Sequence, residues 1–166
     1  TSPTLTTPIL GTVTSGDISA CTSTSMTMVT PILGTPTSGS LVNCNQYPEA
    51  IGIAVGDETT ALTTGTGKVE FQMPYAFTLT DVKATVTTAP TTDAGFTIDI
   101  NEGGTTILST KITLDATDKT SATAATPPVI SDSTLAADGV ITVDIDALST
   151  GATEAGLKIW LIGYQT

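Results

Sequence analysis

The chain has 166 residues and a mass of 16.8 kDa, enough for one packed domain and an appendage. Sixteen acidic residues stand against five basic ones, all Lys, with no Arg and no His, for a net charge of −11. That balance argues against nucleic acid, whose binding rests on Lys and Arg neutralising phosphates, and against anionic membranes; the absence of His excludes Ser-His-Asp and Cys-His catalysis.

Thr fills 38 positions, nearly a quarter of the chain. Its β-branch suits pleated surfaces and its hydroxyl keeps them wettable without charge. Only 13% of residues are charged while mean hydropathy is +0.26, which points to surface buried against partners. No apolar run reaches the ~18 residues needed to cross a bilayer. The start, TSPTLTTPIL, lacks the basic opening and apolar core of a secretory leader, so a cytoplasmically made chain that has lost its initiator Met is expected.

Residues 7–21 read TPILGTVTSGDISAC and residues 30–44 read TPILGTPTSGSLVNC, ten identities in fifteen at an offset of 23. Pro8 and Pro31 open extended segments, Gly11 and Gly34 bend them, and Ser-Gly pairs turn them, a density of breakers that rules out helix. Two such units fall short of a freestanding solenoid and need another surface for their apolar side chains. Asp17 is the one charge in the first 48 residues, so the segment suits threading between subunits as an arm. Cys21 and Cys44 occupy equivalent places and are read as small buried hydrophobes. A disulfide between them is disfavoured in a reducing cytosol, and two Cys without His leave a zinc site two ligands short.

Residues 45–67 form a junction. Within it Ile51, Ile53 and Val55 alternate with small residues as a short strand, and the boundary between arm and domain is expected near Gly56. Beyond it the alternation is plain. Val69, Phe71 and Met73 share one face of a strand, as do Val82, Ala84 and Val86, then Phe96, Ile98 and Ile100, then Ile141, Val143 and Ile145. Glu102-Gly103-Gly104-Thr105 and Asp138-Gly139 are expected hairpin turns, and Pro127-Pro128 belongs to an edge or loop. Asp99, Asp144 and Asp146 fall on outward positions and are read as solvated acids rather than a catalytic pair; with Asn101 and Glu102 they lack calcium-loop spacing. The last strand departs from the pattern. Leu157, Ile159 and Leu161 make one face, yet Trp160, Ile162 and Tyr164 make the other apolar as well, as for a strand that is covered or a subunit interface.

The expected fold is all-β: an extended, repeat-containing N-terminal arm over residues 1–56, then an antiparallel β-sandwich over 57–166, with a jelly roll its expected form. The segment TPILGTPTSGSLVNC resembles the LGTPTSG-type repeats of tailed-bacteriophage structural proteins. FQMPYAFTLTDVKATVTTAP, TIDINEGGTTILSTKITLDA and TPPVISDSTLAADGVITVDID resemble a β-sandwich module of cyanophage and other aquatic-phage virion proteins. The resemblance implies a capsid cement, or decoration, protein and no enzyme. Such a protein binds the outer surface of the assembled head as a homotrimer and stabilises contacts between major capsid proteins, without cofactor, metal, nucleic acid or membrane. Pro8, Ile9, Leu10, Pro31, Ile32, Leu33 and Leu41 are then the capsid-contacting positions of the arm, and Trp160, Ile162 and Tyr164 the subunit interface. The alternative is a small tail or fibre component that contacts the host surface, through glycans among other routes.

Overall fold

The computed structural model describes residues 48–92 and 96–166. The arm repeats, Cys21 and Cys44 lie outside the described residues.

The described strands are β1 (Glu49–Ala54), β2 (Gly65–Gln72), β3 (Phe77–Thr85), β4 (Phe96–Glu102), β5 (Thr105–Thr106), β6 (Leu108–Thr110), β7 (Ile112–Leu114), β8 (Val129–Ile130), β9 (Thr134–Leu135), β10 (Val140–Ala147) and β11 (Lys158–Gln165). The first sheet has the order β1-β11-β3-β9 and the second β2-β10-β4-β5, with β7 also paired to β4; β6 and β8 form a separate pair. Every pairing is antiparallel. The pieces β5 to β7 together take the place of a fifth strand, and β8 with β9 that of a sixth. Counted so, the sheets run 1-8-3-6 and 2-7-4-5, the strand order of a jelly roll.

Alternation builds the core. Phe77, Leu79, Val82 and Ala84 on β3 and Ile159 and Leu161 on β11 meet Ile98 and Ile100 on β4 and Ile141, Val143 and Ile145 on β10 in one buried cluster. Each such Ile or Leu taken out of water contributes roughly 1.5–3 kcal/mol. Where β9 stops, β3 is completed differently. A 3₁₀ turn at Ser121–Thr123 brings the buried Ser121 Oγ to accept from the Ala84 N–H at 2.9 Å. The β10–β11 connection is tied down by Glu154, whose buried carboxylate accepts from the Ser149 N–H at 3.1 Å and from the Ser149 hydroxyl.

Three details differ from the sequence reading. Glu49–Ala54, placed on the arm side of the junction, pairs along its whole length with β11 and so belongs to the first sheet. The Gly103-Gly104 turn does close a hairpin, β4 to β5, with both glycines at positive φ. Asp138-Gly139, with Asp138 at φ 60, instead carries the chain from β9 in one sheet to β10 in the other. Asp99 and Asn101 occupy outward positions yet are buried, at 4% and 8% exposure. Thr106 on β5 and Lys111 in the break between β6 and β7 reach over Asp99: the Thr106 hydroxyl donates to it at 2.6 Å and Lys111 Nζ lies 3.0 Å away.

Candidate functional site

The sequence KIWLIGYQ puts Ile159 and Leu161 into the core, and parity then sends Lys158, Trp160, Ile162 and Tyr164 to the outer face of the first sheet. Because β11 is a central strand, that row runs down the middle of the sheet rather than along its rim. Trp160 lies opposite Gly52 on β1 and Lys83 on β3; Ile162 lies opposite Ala50 and Asp81; Tyr164 lies opposite Thr78. The three proposed interface residues therefore do share one surface. Ile162 and Tyr164 are half-buried, and Trp160 is 37% exposed.

The outward residues of β1 are Ala50, Gly52 and Ala54, all exposed. Their small size leaves a step beside the indole. A Cβ on Gly52 would lie 2.7 Å from Trp160 Cζ3 and 3.1 and 3.2 Å from the neighbouring Cε3 and Cη2. Near-equal distances to three consecutive ring atoms place that point over the ring face, not beyond its edge. The indole thus lies flat on the backbone of β1, a posture that the missing Cβ permits. Gly52, Ile53, Ala54, Lys158 and Trp160 line an open groove of about 400 Å³.

Charge flanks the groove on both sides. Lys158 Nζ lies 2.5 Å from Glu58 Oε1, and the Thr87 hydroxyl donates to the other oxygen of Glu58. The hydrogen bond from Lys158, followed by that from Thr87, holds the Glu58 carboxyl below its usual range. On the other side Lys83 and Asp81 are 3.4 Å apart, both about half exposed.

Asp99, Glu102, Asp144 and Asp146 of the second sheet are engaged within the protein. Asp99 Oδ1 accepts from Ile100 N–H and Thr106. Asp144 accepts from Gly67 N–H at 2.7 Å and from Asn101 Nδ2 at 3.0 Å. Lys111 bridges Asp99 and Asp146, at 3.0 and 2.6 Å, and those two carboxylates raise its pKa, Asp146 the more strongly. Glu102 accepts from Ala136 N–H at 2.8 Å. These acids serve as staples between strands. Among the described residues no group of three His, Cys, Asp or Glu is placed to hold a metal ion, and no helix is long and apolar enough to cross a membrane.

Pro8, Ile9, Leu10, Pro31, Ile32, Leu33 and Leu41, expected to contact a capsid, lie outside the described residues. The part of the surface that sequence reasoning missed is the row Ala50, Gly52 and Ala54. Its one available signal was the Gly and Ala alternation in EAIGIA, which has no meaning until β1 is known to lie against Trp160. No family model, curated protein or solved structure matches this chain.

Proposed function

We propose that this protein is a cement of a bacteriophage head, bound to the outer surface of the shell and stabilising contacts between major capsid proteins. The observation that carries the reading is the outer face of the first sheet. A jelly roll with an acidic, Thr-rich exterior presents Trp160, Ile162 and Tyr164 in one central row, the residue types that anchor protein contacts. The phage setting comes from the resemblance of the repeats and the module. Self-association through this face, as a trimer in the resemblance, multiplies weak contacts to the shell by effective concentration. A ligand that binds only the assembled lattice stabilises it by mass action, about 1.4 kcal/mol for each tenfold rise in concentration above its Kd.

A second reading, host contact from a tail or fibre, draws on the flat exposed indole and its groove, a platform on which a sugar ring can stack. Copy number separates the two. Quantitative mass spectrometry of purified virions is expected to give close to one copy per coat subunit; a few copies per particle would replace the cement with the tail component.

A further inference from the structure

The two sheets have four edges, and three of them are guarded against pairing with another chain. β9 is two residues long, as is β5. β2 carries Lys68 and Glu70, and its register against β10 shifts between Val143 and Ile145. Short length, charge and bulges are the ordinary devices that prevent edge-to-edge association. β1 has a guard only at its start, Pro48 and Glu49. It is six residues long, pairs with β11 in unbroken register, and carries no charge or Pro from Ala50 to Ala54. Among the described residues it is paired on one side only.

Hydrogen-bond parity tells which backbone groups face the open side. The Val55 N–H donates to Leu157 C=O at 2.8 Å. In an antiparallel pair successive residues point their N–H and C=O to opposite sides. Ile51 and Ile53 therefore bond toward β11, while Ala50, Gly52 and Ala54 direct theirs away from it. The inward side chains Ile51 and Ile53 remain half-buried, so another strand alongside would complete their burial.

The geometry points to a second copy of this chain as the occupant, with β1 pairing antiparallel to the partner's β1 about a twofold axis at Gly52. Ala50 then faces the partner's Ala54, Gly52 faces its own counterpart, and no like charges meet. The contact is self-complementary, as a twofold interface must be, and joins two four-stranded sheets into one. The two β11 strands stand three strand spacings apart, about 14 Å. Each indole already lies one strand toward the axis over its own Gly52. The two indoles thus meet above the paired glycines, each filling the groove of the other. This pairing rests on the self-association part of the proposed function but not on attachment to a capsid, and it puts a twofold in place of the threefold that the resemblance implies.

The test uses the full chain in solution, with native mass and the emission of Trp160, the sole Trp. The expected result is a dimer whose emission shifts to the red on dilution. The double substitution Ala50→Lys with Ala54→Lys sets Lys against Lys at both ends of the pairing, on exposed positions. It is expected to weaken the dimer by at least about tenfold and to leave circular dichroism unchanged. Ala50→Glu with Ala54→Lys sets opposite charges face to face and restores it. A wild-type monomer at all concentrations, a trimer, or a dimer indifferent to both double variants overturns the proposal. So does loss in the first variant without rescue in the second. Failure of the cement reading alone would appear as a normal dimer that is scarce on virions.

Discussion

At the scale of single residues, two glycines on the first sheet have opposite tolerances. The neighbour of Gly52 is the free end of an indole, which can swing away; the neighbour of Gly163 is backbone. A Cβ on Gly163 would lie 2.0 Å from the Thr78 carbonyl oxygen and 2.7 Å from Phe77 Cε1, where β11 and β3 shift register. Gly163→Ala must push two central strands apart and is expected to cost about 2–4 kcal/mol in a denaturant titration. Asp57 offers a pH-dependent counterpart. Hydrogen bonds from Thr60 and then Thr59 hold its carboxyl well below the usual range. A depressed folded pKa gives stability that is present above the unfolded value, about pH 4, and is lost as pH falls toward the folded value. Asp57→Asn keeps an acceptor but not the charge. Its melting temperature should fall below that of the wild type at pH 6, and the gap should narrow progressively as pH falls below about 4; a constant gap would remove the charge from the account.

Elements were legible where their two faces differ. The alternations at Val82–Val86, Phe96–Asn101 and Ile141–Ile145 each mark a strand that is buried on one side, and the structure places each in the core as read. The fifth and sixth strands of the jelly roll were not legible, because pieces of two or three residues have no period to detect. Parity did assign Asp99 and Asn101 to the outer side. Their burial follows from Thr106 and Lys111 closing over them, which local sequence does not record. The place of β1 is the same kind of case. Glu49 pairs with Gly163, and only that long-range partner tells that residues 49–54 finish the first sheet. Removing them uncovers one side of β11 and the contacts that Ile51 and Ile53 make with the core. A fragment of residues 49–166 is expected to melt cooperatively, whereas one of residues 57–166 should melt far lower or not fold. Equal melting temperatures would make β1 dispensable.

For the whole molecule, the division of labour under the cement reading is between a sandwich that meets its own kind and an arm that meets the coat. The candidate surface was half legible. Trp160, Ile162 and Tyr164 stand out in the sequence as a second apolar face, while the glycine and alanines that shape it belong to another strand. Deleting residues 1–48 should leave the sandwich folded and still self-associating, yet unable to cosediment with purified heads. Full attachment of the truncated chain would move the anchor to the sandwich.

One central strand of each sheet, β11 in the first and β10 in the second, follows all the other described strands in the sequence. Before residue 140 leaves the ribosome, β2 and β4 have nothing between them, and neither do β1 and β3. The nascent chain can form the pairings of β4 with β5 and β7 and the short β3–β9 and β6–β8 pairs, but neither full sheet. Assembly therefore waits for residues 140–165 and then closes loops that span most of the domain, the kind of pairing that is slow. During that wait the Ile- and Val-rich segments lie open together. The scarcity of positive charge and the abundance of Thr then gain a second meaning: they keep an unclosed chain dissolved until β10 and β11 arrive.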